Sequence, residues 1–241
     1  MNLWLKKQNL VNNYMNIIIF GPPGAGKGTQ SDKIANKYKL FKISTGDLLR
    51  NEIKNGTLIG KKIEEIVNSG TLVSDNIIND LIEKVVSNNK YKNQIIFDGY
   101  PRNIQQAKNL NALLKKHEQK IDLVISLKVS LDLIIKRIAG RLVCSKCGNT
   151  FNEFFNPPAN LTCCKGGTLK RRSDDNAEIA KKRYETYENS TKPLLEYYSK
   201  LGLLKNVGGE NKIEEIEGKI ADFINLIQGW LWKIWSYKYV N

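Results

Sequence analysis

The stretch Asn16-Ile-Ile-Ile-Phe20-Gly21-Pro-Pro-Gly-Ala-Gly26-Lys27 decides how the rest of the chain is read. A short apolar, β-branched run that stops at glycine and proline reads as a buried strand entering a glycine loop. From Lys27 to about Tyr38 the pattern is helical, with Ile34 and Tyr38 spaced to face a sheet. The loop therefore satisfies G-x-x-x-x-G-K between a strand and a helix, the setting in which that motif cradles phosphate. Gly24, Gly26 and Gly28 let the backbone N–H groups of this loop, that of Ala25 among them, approach an anion closely, and the helix N-terminus adds its positive dipole end. Lys27 supplies a point charge for the β- and γ-phosphates. The hydroxyl that usually follows the lysine arrives one residue late, at Thr29, so Mg²⁺ ligation by that oxygen is less firmly implied.

Working outward, further buried strands are expected at Gln94–Asp98, Leu123–Leu127 and, more weakly, Leu203–Val207. Between them lie helical patterns over 46–54, 59–68, 75–87, 103–116, 130–140, 174–200 and 211–227. Strands alternating with helices imply an α/β fold with a central parallel sheet flanked by helices, and ligands at the strands' carboxyl ends. Two segments look inserted into the core (16–43, 75–140 and 176–228): a helical flap over 44–74 and a small β-rich lid over 141–175. Residues 1–15 form an N-terminal extension without acids, and 229–241 an aromatic and basic tail.

The chain has 241 residues, 41% of them hydrophobic and 26% charged, with a formal charge of +14. No run of eighteen apolar residues is present, which excludes a spanning helix on sequence grounds. The basic balance favours polyanionic partners without choosing among nucleotides, nucleic acid and anionic membranes. All four cysteines fall between 144 and 164, a clustering that points to a reducing intracellular compartment and a metal site rather than dispersed disulfides. The cytoplasm is the expected location, with the mitochondrion as the alternative.

Several blocks then agree with one family. GPPGAGKGTQ (21–30), Ile43-Ser-Thr-Gly-Asp-Leu-Leu-Arg50, Asp98-Gly-Tyr-Pro-Arg102 with Gln106, Arg137-Ile-Ala-Gly-Arg141, and Arg172-Ser-Asp-Asp-Asn-Ala-Glu through Arg183 stand in order. Together they resemble the adenylate kinases, over about residues 16–227. The resemblance implies a P-loop kinase with an NMP-binding flap and a lid, moving the γ-phosphoryl of ATP reversibly to AMP to give two ADP. A GTP:AMP phosphotransferase is the alternative, since Tyr187 to Tyr198 and Asn211-Lys-Ile213 are slightly similar to GTP-using relatives. A basic zinc-ribbon nucleic-acid binder without catalysis is the remote one; no nucleic acid is expected, and a monomer is.

By the same resemblance, AMP would be held by Thr45, Arg50, Arg102 and Gln106, with main-chain contacts at Thr71, Leu72 and Val73 and the Gly99-Tyr100-Pro101 turn beside them. Forked guanidinium donors suit a phosphate dianion, and a Gln amide can face an adenine edge with both donor and acceptor. Arg172 and Arg183 would join AMP and the transferring group. Lys27, Arg102, Arg137, Arg141, Arg172 and Arg183 would surround the phosphoryl in flight, with Asp98 holding Mg²⁺ through water. Arg137, Arg141, Thr150, Phe151 and Asn206 would line the triphosphate nucleotide, and Asp174 and Asp175 resemble hinge aspartates that bond lid arginines. No general base is required, because the attacking oxygen is already ionised, and His117 is given no role.

Cys144-Ser-Lys-Cys147-Gly148 is a C-x-x-C-G knuckle, followed by Cys163-Cys164. Zinc wants four tetrahedral soft ligands, and some lids of this family carry such a structural site. Here the second pair is adjacent rather than spaced, which would strain the chelate and could idle Cys163 or Cys164. The tail from Gly229 to Asn241 carries three tryptophans, two tyrosines and two lysines with no acid. That composition suits a membrane interface, a partner groove, or packing against the core.

Overall fold

The computed structural model describes residues 15–239 apart from 70 and 159–162, with side chains described as far as 229. The N-terminal extension up to residue 14 lies outside the described residues. So do the tail's side chains beyond Gly229, and with them the interfacial reading of that segment.

Five parallel strands form the central sheet in the order β2-β3-β1-β4-β8: β1 (Ile17–Phe20), β2 (Phe41–Ser44), β3 (Ile95–Asp98), β4 (Leu123–Lys128) and β8 (Leu204–Gly208). Ile17 pairs with both Ile96 and Leu123, so β1 is the middle strand and its carboxyl end opens where the strand order reverses. Alternation along β1 sends Ile17 and Ile19 to one core and Ile18 and Phe20 to the other. Helices cover both faces, which is why these strands read as continuous apolar runs rather than alternating ones.

On the first face, α1 (Lys27–Tyr38) and α9 (Ile213–Tyr239) pack Ile34, Ile216, Ile220 and Ile224 against Ile19 and Ile125. On the second, α4 (Asp75–Val86), α5 (Ile104–Lys116) and α8 (Pro193–Lys200) contribute Ile82, Leu110, Leu194 and Tyr198. The flap is α2 (Thr45–Lys54) and α3 (Leu58–Asn68), opened by Ser44 and Thr57, whose hydroxyls accept from Asp47 N–H and Gly60 N–H. Helix α6 (Leu131–Ala139) leads into the lid, an antiparallel sheet of β6-β5-β7: β5 (Arg141–Cys144), β6 (Thr150–Asn152) and β7 (Leu169–Lys170). Helix α7 (Ala177–Thr186) returns the chain to the core.

Three departures from the sequence expectation have physical causes. Strand β2 was not expected: it is an edge strand with one buried side chain, Ile43, and shows no apolar run. The continuous helix expected over 174–200 is interrupted by a π-helical turn over Tyr187–Thr191. Pro193 has no N–H for Asn189 and its ring clashes with that carbonyl, so the turn opens and α8 starts afresh with proline in its first turn. Helix α9 runs on to Tyr239 rather than ending at 227, since no proline stops it and the one glycine in the way costs only about 1 kcal/mol in a helix.

Candidate active site

The loop after β1 wraps its own lysine. Gly24 (φ 79°) and Gly26 (φ 95°) sit in left-handed backbone, and at Gly24 an added Cβ would lie 3.0–3.1 Å from Ile138 and from the Ile134 carbonyl. Gly26 is the N-cap of α1 and has no side chain to satisfy the first-turn N–H groups, which favours an anion there. Lys27 Nζ donates to the carbonyls of Gly21 (2.7 Å) and Pro22 (2.9 Å). Burial pulls its pKa down to about 8, against the pull of Asp98, and the charges of Arg102, Arg183 and Arg141 push it the same way.

A cleft of about 440 Å³ opens from this loop, a size suited to a nucleotide. Gly24, Ala25, Gly26, Lys27, Gly28 and Thr29 line its floor, with Asp98 at the end of β3. Arg137, Arg141 and Arg172 come from the lid side, and Thr150 and Phe151 from β6. Asp98 is buried, and burial raises its pKa even though Lys27 and Lys42 oppose that shift. Burial also lowers Arg137 and Arg183, and takes Arg172 to about 10 with Arg50 and Arg141 adding repulsion. For Arg141, burial works against the charge, but hydrogen bonding and attraction from Asp175 outweigh it and its pKa rises.

A second chamber lies under the flap, lined by Thr45, Arg50, Thr71, Leu72, Val73, Gly99, Tyr100 and Gln106. Pro101 lines the space just behind it, with Leu72 and Arg102. Thr45 Oγ1 donates to the Gly99 carbonyl at 2.8 Å, and Arg102 Nε donates to that same oxygen at 2.8 Å, while Arg102 lines both chambers. Gln106 is tied at both ends: its Oε1 accepts from Arg102 N–H (2.7 Å) and its Nε2 donates to Asp75 (2.6 Å). The two chambers share Arg50, Arg102 and Arg183, so they adjoin in one trough with guanidinium groups at the junction.

The flaps meet over this junction. Asp47 of α2 accepts from Arg50 and lies 3.8 Å from lid Arg172, while Ser173 Oγ donates to Asn68 Oδ1 at 2.9 Å. Two aspartates of this segment hold arginines: Asp175 accepts from Arg141, and Asp174 from Arg183 at 2.6 Å. Cations outnumber carboxylates along the trough, so the arrangement can gather two polyanions and offset their repulsion.

One sequence-expected residue is elsewhere. Asn206 lies in β8, paired with Ser126, and does not line the cleft; the segment just after that strand, from Gly209 to Ile213, does. A Cβ at Gly209 would meet Val129 at 2.6 Å and lie 3.4 Å from the Ala25 carbonyl, so the absent side chain lets this segment pass close to β4's end and the phosphate loop. Sequence reasoning also passed over Phe155 and Asn152. Phe155 lines the cleft with its ring centroid 5.7 Å from the Arg137 guanidinium, and Asn152 Nδ2 donates to the Arg137 carbonyl. The paired aromatics before Pro157-Pro158 were the available signal, but they read equally as lid packing.

In the lid, all four cysteine sulfurs lie within 4.8 Å of one another. Cys144 Sγ is 3.7 Å from Cys164 Sγ, and Cys147 Sγ 3.4 Å from Cys163 Sγ. Tetrahedral bonds of about 2.3 Å to a central zinc would separate the sulfurs by about 3.8 Å, close to these values. Adjacency does not keep Cys163 or Cys164 out of this cluster. The turn carrying Cys163 and Cys164 lets the two side chains reach different knuckle sulfurs. Gly167 makes this possible, since a Cβ there would sit 2.6 Å from Cys144 Sγ and 2.9 Å from Cys164 Sγ. Backbone N–H groups of Cys147 and Lys146 donate to Cys144 and pull its thiol down to about 6, towards the thiolate a metal would need.

Comparison with known proteins agrees with this geometry. The family model described as adenylate kinase matches residues 19–203. An adenylate kinase of Pelagibacter ubique is 49% identical over 213 residues, covering 88% of this chain and all of that protein. Those of Fervidobacterium nodosum and Methanothrix thermoacetophila are 42% and 39% identical, over 84% and 89% of this chain and 94% and 100% of their own lengths. The chain belongs to the adenylate kinase family.

Proposed function

We propose that the chain transfers the γ-phosphoryl group of Mg·ATP to AMP, reversibly, giving two ADP. The observation that carries this reading is the pair of adjoining chambers that share Arg50, Arg102 and Arg183. A triphosphate lies in the glycine loop with Lys27 on its β- and γ-oxygens, and the monophosphate of AMP lies between Arg50 and Arg102. Arg137, Arg141, Arg172 and Arg183 offset the charge on the group in flight. Catalysis is then positioning and charge stabilisation, with water excluded when flap and lid meet.

Asp98 fits a magnesium role. It is a buried carboxylate on the cleft floor beside the phosphate loop, and Mg²⁺ keeps its waters, so Asp98 would hold it through one of them. When bound, the ion neutralises charge on the triphosphate oxygens. The four cysteines fit a structural zinc that pins β5 to the turn before β7 and so keeps Arg141 at the cleft edge.

Of the segments similar to GTP-using relatives, Asn211 to Ile213 lines the cleft, whereas Tyr187 to Thr191 forms the π-helical turn beside Lys27 and Arg102. A coupled assay with AMP as acceptor and ATP or GTP as donor tests the reading. ATP should give the higher kcat/KM, and ADP should appear only when AMP is present. Faster turnover with GTP would reassign the donor, and nucleotide hydrolysis independent of AMP would reject phosphoryl transfer.

A further inference from the structure

The π-helical turn at Tyr187–Thr191 is a local irregularity that the reaction outlined above leaves unused. Such turns are uncommon inside helices and gather at functional sites. Here Lys192 N–H donates to the Tyr187 carbonyl at 2.9 Å, the five-residue bond that defines the widened turn. Thr191 closes it. Its side chain is buried, 7% exposed, and its hydroxyl donates at 3.0 Å to the main-chain carbonyl of Arg102, 89 residues earlier in sequence.

We propose that Thr191 is a positioning residue that fixes the Arg102 peptide, and through it the Arg102 guanidinium, at the junction of the two nucleotide chambers. The inference rests on the reading of Arg102 as a phosphate-holding group. Three separate bonds bracket this residue: Gln106 Oε1 takes its N–H, Gly99 O takes its Nε, and Thr191 supplies a donor to its carbonyl. The first two come from Arg102's own turn and the helix it opens. Thr191 alone of the three ties it to a distant element, the α7–π–α8 unit.

That unit also carries Arg183, and a small space between the turn and the phosphate loop is lined by Lys27, Arg102, Arg183, Tyr187 and Thr191. A single rigid piece therefore sets the spacing of two like-charged guanidinium groups that must face one phosphoryl. The lever is long: a tilt of about 10° at the Arg102 peptide moves its outer nitrogens by about 1 Å. A displacement of that size is enough to cost up to ~10²-fold in rate. The sequence origin is Pro193, which forbids the regular helical bond and opens the turn that presents Thr191.

The test is a double-mutant cycle with kcat and KM for AMP measured on folded protein. Thr191→Val removes the donor at nearly constant volume and should lower kcat by ~10-fold or more, with a smaller change in KM. Thr191→Ser restores the donor and should return kcat to within ~3-fold of wild type. In an Arg102→Met background, Thr191→Val should add less than ~2-fold, because the group it positions is gone. If Thr191→Val does not fold, Thr191→Ala is read in its place against the same serine rescue.

An equal loss in both backgrounds, wild-type turnover in the valine variant, or a serine variant as slow as valine would each overturn the proposal. If Arg102→Met itself turns over normally, the site reading fails and takes this inference with it. If Arg102→Met collapses while Thr191→Val does not, only the role of Thr191 is lost.

Discussion

Replacing Arg102 by methionine should make the nucleotide-free protein more stable while nearly abolishing turnover. The pKa of Arg102 is held down to about 10, chiefly by burial and then by the Arg183 charge. A depression of that size corresponds to roughly 3 kcal/mol of disfavoured charge; solvent in the cleft screens part of it and leaves about 2 kcal/mol. A basic group whose folded pKa lies below its unfolded one is charged in both states at pH 7. It therefore lowers stability there, and the loss is relieved only as pH rises through about 10. Removing the guanidinium leaves no orphaned acceptor, because the Gly99 carbonyl keeps the Thr45 hydroxyl at 2.8 Å. Asp98 keeps Lys27 and Lys42 nearby. The melting temperature without nucleotide should rise by about 4–8 °C, at roughly 2–4 °C per kcal/mol for a chain of this size. Turnover should fall by at least ~10²-fold, because transferring-group charge loses one of its donors. Thermal melts and coupled kinetics on the same preparation measure both. A lower melting temperature, or turnover within tenfold of wild type, would refute the reasoning.

Other outcomes follow from the same geometry. With Lys27 depressed to about 8, kcat/KM for the triphosphate should decline as pH rises through about 8, since the free enzyme then loses the charge that meets the phosphates; a flat profile to pH 9.5 would contradict this. Protein purified without chelators should carry one zinc per chain, and Cys163→Ser should shed it and lower the melting temperature by at least ~5 °C, as read by metal analysis and calorimetry. At Gly60 a Cβ would lie 2.1 Å from the Glu52 carbonyl oxygen, so Gly60→Ala should force α3 away from α2 at about 1–3 kcal/mol and raise KM for AMP more than KM for ATP.

What could be read from the sequence follows from how locally each feature is determined. The phosphate loop was legible because its backbone angles demand glycine, and β1, β3 and β4 because burial on both faces leaves an unbroken apolar run. The arginines were legible only as members of ordered blocks, since a lone guanidinium carries no address. Strand β2 was hidden because an edge strand with one buried residue has no periodic signature. The π-helical turn was hidden because the helical pattern of 174–200 runs on across Pro193, and the widening that accommodates the proline precedes it. Cys163 and Cys164 looked mismatched because the approach of Cys164 Sγ to Cys144 depends on a missing side chain at Gly167, visible only in three dimensions. Around Asn206 no sharper address was legible, because a segment that meets a cleft through its main chain leaves no side-chain pattern to count; the lining begins at Gly209.

If one trough holds two nucleotides with their phosphates end to end between the glycine loop and the shared arginines, a single molecule carrying both nucleoside ends must fill it. Calorimetric titration with two adenosines joined by five phosphates, in Mg²⁺, tests it directly. One molecule should bind per chain, and prior saturation with either AMP or ATP alone should weaken that binding. Two molecules per chain, or competition from only one of the two nucleotides, would contradict the account.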